Sequence, residues 1–160
     1  MTTTNLYHEI LKCEPDAQGW RIWQGKRLKV GESCFIHVGV RFGDDVTLGD
    51  DVVLYPNVTI ATGCYLGDNV MIADNTRIGY ITTIYDNVTI FPNCTIGDDC
   101  SIREAVRICA NVTIGDGTTL RYGVKVGTNA KIGKDTEVDT WVSIASGANI
   151  PNEAIINYYK

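Results

Sequence analysis

The chain has 160 residues, 44% of them hydrophobic, a formal charge of −5 and a pI near 4.9. That is one domain's worth of sequence with apolar material for a core, so extended disorder is not expected, and the acidic balance argues against a general grip on nucleic acid or an anionic membrane. No stretch approaches the length of a membrane span and residues 1–15 hold no apolar run of signal-peptide type, so the expectation is a cytoplasmic protein with no nucleic-acid or membrane partner.

Residues 1–28 show no period and are read as an N-terminal cap segment, with Trp20, Ile22 and Trp23 covering the open end of a repeat region that begins near Val30. From Val30 a step of six lands on Val30, Ile36, Phe42, Leu48, Leu54 and Ile60, and so on to Ile156. There are 22 such positions, and all except Phe42 are aliphatic. Two residues before each from Ile36 onward stands a small or β-branched residue, as at Val46, Val52, Thr76, Thr82, Val106 and Ala130; the residue between is usually polar, as at Thr47, Thr95 and Lys131. Side chains alternate along a strand, so the flanking pair faces inward and the middle residue outward. A Gly-Asp-Asp turn or a close relative comes next, at 43–45, 49–51 and 97–99, making each hexad one short strand and one corner. A period of six matches neither 3.6 nor 3.5, which excludes helix, and an antiparallel meander needs longer runs in alternating directions.

An aliphatic residue, then Gly or another small residue, two variable residues, a small residue and one more: this pattern resembles the hexapeptide-repeat family over roughly four-fifths of the chain. The resemblance implies an all-β fold, a single-stranded left-handed parallel β-helix of about seven triangular coils over residues 29–160, with three hexads per coil and no inserted loops. Its handedness is implied by the resemblance alone. Ile150-Pro151-Asn152 is similar to a common closing turn of the family, and Tyr158-Tyr159-Lys160 leaves no room for the C-terminal helices that many members carry.

An 18-residue coil stacks residue n on residue n+18 at about 4.8 Å. One column is then Asn57, Asn75, Asn93, Asn111 and Asn129, a corner where Asn suits left-handed backbone and stacked amides hydrogen-bond. Cys34, Cys64, Cys94 and Cys100 fall on inward small positions as compact filler, whereas Cys13 and Cys109 lie elsewhere. Cys64 and Cys100 share a column two coils apart, beyond disulfide reach, and the thiols are expected to be reduced. Outward Phe35, Val53 and Met71 run beside corner residues His37, Tyr55, Ala73, Phe91 and Cys109, an apolar stripe that needs a cover. In the resembled family the cover is a symmetric trimer, which places a homotrimer interface at Phe35, Val53, Tyr55, Met71 and Phe91.

The resemblance also implies chemistry: acyl transfer from coenzyme A or acyl carrier protein to a hydroxyl or amine, assisted by a His base. This chain holds only His8 and His37, so the three-His zinc site of γ-class carbonic anhydrases is out of reach and no metal is expected. His37, beside the stripe, is the expected catalytic base; the blander reading packs it against Tyr55. The stretch 102–108, Ile-Arg-Glu-Ala-Val-Arg-Ile, is similar to a segment of UDP-N-acetylglucosamine acyltransferases, whose later catalytic His has no counterpart between Val124 and Val138.

Columns alone stack Arg103 on Arg121 and Arg107 on Lys125, four cations on two coils around one corner. Like charges that close call for an anion such as a phosphate of coenzyme A or of a nucleotide sugar, unless Glu104 and Asp86 or solvent neutralise them. The neighbouring acidic column Glu32, Asp50, Asp68, Asp86 and Glu104 suits turn carboxylates accepting backbone N–H groups better than it suits calcium. No resident cofactor is expected; acyl-coenzyme A is the expected co-substrate, with a sugar or other small molecule as acceptor. The alternative, favoured by the scarcity of His and the missing loop insertions, is a non-catalytic β-helix scaffold or binding module.

Overall fold

A computed structural model describes residues 5–158; residues 1–4 of the expected cap segment and 159–160 lie outside the described residues. The hexads form three faces of parallel strands wound as a β-solenoid; an added antiparallel strand at the N-terminal edge brings one sheet to nine strands, and the other two have seven. The first face holds strands such as Val46–Leu48, Ser101–Ile102, Thr119–Leu120 and Glu137–Val138; the second holds Phe35–Ile36, Arg107–Ile108 and Lys125–Val126; the third holds Arg41–Phe42 and Thr113–Ile114. Register is 18 residues throughout, as in Thr59 on Arg77, Thr83 on Ser101 and Thr119 on Glu137. Among the described residues no loop interrupts the coils.

The aliphatic series fills the interior: Ile36, Leu54, Ile60, Leu66, Ile72, Ile90 and Ile102 are completely buried. Each such side chain contributes about 1.5–3 kcal/mol by leaving water. The inward small positions do more than fill space. Cys64, Thr82, Cys100, Thr118 and Thr136 form one column, and each donates its side-chain hydrogen to the carbonyl 15 residues onward, for example Thr82 to Gly97 at 2.9 Å and Cys100 to Gly115 at 3.2 Å. Thiol and hydroxyl thus satisfy the same backbone acceptor. Burial pushes the Cys100 thiol up to about 11 and raises those of Cys34, Cys64 and Cys94.

Corners turn through a left-handed residue at their third position. The five stacked asparagines have φ between 59° and 64°, and Asn57 donates to Asn75 at 3.2 Å, which donates to Asn93 at 3.3 Å. The acidic column is a hydrogen-bond ladder: an Asp oxygen accepts the N–H one coil earlier, Asp50 from Glu32, Asp68 from Asp50 and Asp86 from Asp68, each at 2.8 Å. Asp116 does the same for Asp98 at another corner, and that N–H, with Lys134 at 3.4 Å, lowers its pKa.

The cap differs from the sequence expectation. A one-turn helix α1 (Tyr7–Leu11) buries Tyr7 and Ile10 on the open end, and Tyr7 donates its hydroxyl hydrogen to the Gly31 carbonyl at 2.7 Å. Strand β1 (Arg21–Trp23) pairs antiparallel with β2 (Lys26–Val30), which already stacks Leu28 on Val46, so the solenoid register begins inside the segment read as cap. Trp23 packs edge-on against Phe42, but Ile22 is 61% exposed: alternation along β1 turns it away from the core that its neighbour Trp23 covers. Trp20 takes the Arg27 guanidinium at 4.2 Å from its ring instead of entering the core. Among the described residues no helix is long and apolar enough to cross a membrane.

Candidate functional site

The residue after each aliphatic is where the backbone of one coil lies closest to the next. At Gly49 and Gly67 of the corner between the first and second faces, a Cβ would meet the next Asp at 2.3 and 2.2 Å. At the same corner of the subsequent coils the glycine gives way to Tyr85, Arg103, Arg121 and Asp139. The corner therefore changes from a packed hydrogen-bond ladder to a set of projecting charged and aromatic side chains.

Arg103 and Arg121 stack there, as the 18-residue register requires, with Arg103 lying 4.4 Å over the Tyr85 ring. Both line an open hollow of about 480 Å³ together with Glu104, Thr119, Tyr122, Glu137 and Thr140. Arg103 Nε meets Glu104 at 3.4 Å; Arg121 pairs with Glu137 and lies 3.6 Å from Asp139. All five side chains are between one-third and one-half exposed, so these ion pairs are worth little individually and exchange readily for another anion. Asp86 takes no part, because its carboxylate accepts the Asp68 N–H. Arg107 and Lys125 stack just past the corner, on the second face and outside the hollow, with Arg107 over Phe91 at 4.7 Å.

His37 sits elsewhere, at the corner between the second and third faces near the N-terminal end. Its ring stacks on Tyr55 at 5.2 Å and meets Phe35 at 4.7 Å. Within one chain it does not meet the arginines. Phe35 is exposed, while Val53, Tyr55, Met71 and Phe91 are half-buried along one edge of the solenoid. His8, on α1, is exposed. Among the described residues no three His, Cys, Asp or Glu side chains are grouped as a metal site.

Glu137, Asp139, Tyr122 and Thr140 were not among the residues expected from sequence. Glu137 and Asp139 stand one coil beyond Thr119 and Arg121, and Tyr122 and Thr140 stand one and two coils beyond Glu104, so extending those columns finds them.

A family model described as the GMPPB C-terminal domain matches residues 66–160, more than half of the chain, and the bacterial transferase hexapeptide model matches 28–62 and 47–80. The chain belongs to the GMPPB C-terminal domain family and carries the transferase hexapeptide repeat. The family match covers the whole arginine-lined hollow, whereas His37 falls within the hexapeptide match alone. No curated protein matches the chain. Among solved structures, a hexapeptide transferase family protein from Anaplasma phagocytophilum is similar at a TM-score of 0.60 and 19% identity, over 79% of this chain and 74% of that one. A variant of AntD, an N-acyltransferase from Bacillus cereus in complex with dTDP-4-amino-4,6-dideoxyglucose and coenzyme A, gives 0.50 and 16%, over 71% and 74%. A variant of perosamine N-acetyltransferase from Caulobacter crescentus gives 0.45 and 20%, over 76% and 51%, so the chain spans about half the length of that enzyme. At these identities the likeness is one of fold.

Proposed function

We propose that the chain is an acyltransferase that moves an acyl group from coenzyme A to an amine or hydroxyl of a sugar or other small molecule, with Arg103 and Arg121 holding the donor's phosphates. The observation that carries this reading is the arginine stack beside an open hollow. Arg103 and Arg121 are held by exposed carboxylates of Glu104, Glu137 and Asp139, and a phosphate bridging the two guanidinium groups takes their place with bidentate hydrogen bonds. Arg107 and Lys125 add two further cations just past the corner. AntD, alike in fold, was solved with coenzyme A and an amino-sugar nucleotide, which supports the substrate class.

The reading includes a homotrimer about an axis parallel to the solenoid, with Phe35, Val53, Tyr55, Met71 and Phe91 in the interface and His37 as general base. His37 precedes Arg103 by 66 residues, fewer than four coils, an axial offset of roughly 18 Å. Rotation about such an axis leaves that offset unchanged, so the long arm of acyl-coenzyme A runs along the solenoid from the arginines toward a neighbouring subunit's imidazole. There the acceptor nitrogen or oxygen attacks the thioester carbon and its proton passes to the imidazole. The C–S bond then breaks and the leaving sulfur takes that proton as the thiol of coenzyme A.

The packing of His37 between Phe35 and Tyr55 favours a second reading, a binding module for the same anion without transfer. The test is release of free thiol from acetyl-coenzyme A over a panel of amino sugars and their nucleotides. Transfer predicts acceptor-dependent release, a KM for the donor raised at least tenfold in Arg103→Ala/Arg121→Ala, and kcat lowered by about 10² or more in His37→Ala. Binding without release selects the module. Neither binding nor release rejects both, and unchanged kcat in His37→Ala removes that residue as base while leaving transfer in place.

A further inference from the structure

Among the described residues seven occupy the left-handed third position at the corner between the first and second faces, one per coil. They are Ser33, Asp51, Asn69, Asn87, Ala105, Gly123 and Trp141, all with φ between 56° and 68°. The first six are small or are residues that tolerate this conformation; a tryptophan does so poorly. Trp141 also gains little from burial, being 56% exposed. Yet the fold makes room for it. A Cβ on Gly123, the residue beneath, would come within 2.5 Å of the indole, and no other side chain at 123 leaves it in place. Tyr122, 45% exposed, stands edge-on to the indole at 5.0 Å and 81°.

Each of these aromatics lines a different hollow, and Thr140 of the first directly precedes Trp141 of the second. Tyr122 lines the arginine hollow and follows Arg121 directly in the chain. Trp141 lines a second, of about 520 Å³, with Val142, Ser143, Ile156, Asn157 and Tyr158. The passage from cations to aromatics is one residue long. Trp141 gives the second hollow its indole, and Ser143 and Asn157 give it a hydroxyl and an amide suited to the edge of a heterocycle.

The geometry points to a nucleotide site: Trp141 stacks the base of a nucleoside diphosphate whose phosphates lie on Arg121 and Arg103. The inference rests on the phosphate reading of those arginines and adds the group that recognises the other end of the ligand. Two ligands share this chemistry, the adenine-nucleotide part of coenzyme A and the nucleoside diphosphate of a nucleotide sugar.

The test is calorimetric titration of wild type, Trp141→Ala and Trp141→Phe with 3′,5′-ADP, coenzyme A, a UDP-sugar, a dTDP-sugar and inorganic pyrophosphate. Trp141→Ala is expected to weaken the base-bearing ligands at least tenfold and to leave pyrophosphate unchanged, with Trp141→Phe close to wild type. The base whose binding depends most on Trp141 identifies the source. Equal effects on pyrophosphate and nucleotides, or no effect on either, overturns the proposal while the phosphate reading stands. Failure of pyrophosphate and nucleotides alike to bind wild type removes that reading and this one together. Saturation-transfer NMR on wild type needs no variant: base protons must show stronger transfer than ribose protons, and the reverse order overturns the stack. A change of assembly state in Trp141→Ala, read by light scattering, assigns the indole to a contact between copies and also overturns it.

Discussion

Trp141 occupies the space that a side chain at residue 123 would need: the indole lies over Gly123, which is buried beneath it with φ +68°. Gly123→Ala therefore meets two obstacles, a left-handed backbone and a displaced ring. It is expected to destabilise the chain by about 1–3 kcal/mol. In Gly123→Ala/Trp141→Ala the steric part is relieved, so the two substitutions are non-additive. Thermal melts of the four proteins check this.

Ile81 is the second bulky residue held left-handed, with φ 55°, and it is 65% exposed. A β-branched side chain is poorly suited to that region, and this one buries little in return. Ile81→Asn, which puts there the residue type found at the asparagine corner, is expected to stabilise by about 1 kcal/mol, or about 3 °C in Tm. By contrast Asn75→Ala keeps φ 59° and loses the amide links to Asn57 and Asn93, so Tm falls.

Thiol chemistry reads the core directly. Cys34, Cys64, Cys94 and Cys100 are buried, whereas Cys13 and Cys109 are partly exposed. A thiol reagent at neutral pH is expected to modify only Cys13 and Cys109 in the native chain, with the other four protected until it unfolds. Because burial raises the Cys100 pKa to about 11 from an ordinary 9.0, the folded chain keeps a proton that the unfolded chain has lost between those values. Stability is full below pH 9 and declines as pH rises toward 11. Cys100→Thr, matching Thr82 and Thr118 of the same column, is expected to fold normally and to flatten part of that decline. Denaturant melts across this pH range measure it.

At the acid end Asp116 works in the opposite sense. The Asp98 N–H and Lys134 lower its folded pKa, so its contribution is present above the ordinary 3.8 and is lost as pH falls through the lowered value. The carboxylate is largely in solvent, which keeps the effect small. Asp116→Asn retains the acceptor for the Asp98 N–H and is expected to lose the acid sensitivity; melts below about pH 4 measure the difference.

The solenoid is legible in the sequence because its coil repeats without insertion, so one period fixes strands, corners and every lateral neighbour. Arg103 on Arg121 and Arg107 on Lys125 follow from that arithmetic. The plug does not, because α1 is a single turn in which only Tyr7 and Ile10 carry the signal, too short for a helical period. Ile22 misleads because hydrophobicity alone does not say which side of β1 faces the core. The pairing of Arg121 with Glu137 depends on side-chain reach across coils, which no spacing rule supplies, whereas Asp139 is its neighbour in the same column. Trp141 was recoverable: among the described residues it is the one aromatic in a column of small and turn-forming residues.

The functional reading stands on the stacked arginines, and calorimetric titration of coenzyme A into wild type and Arg103→Ala/Arg121→Ala tests them most directly. Wild type is predicted to bind with an affinity that weakens with added salt, and the double variant to lose at least tenfold with its melting temperature unchanged. Equal affinity in the two proteins, or no binding to wild type, would contradict the phosphate role of Arg103 and Arg121.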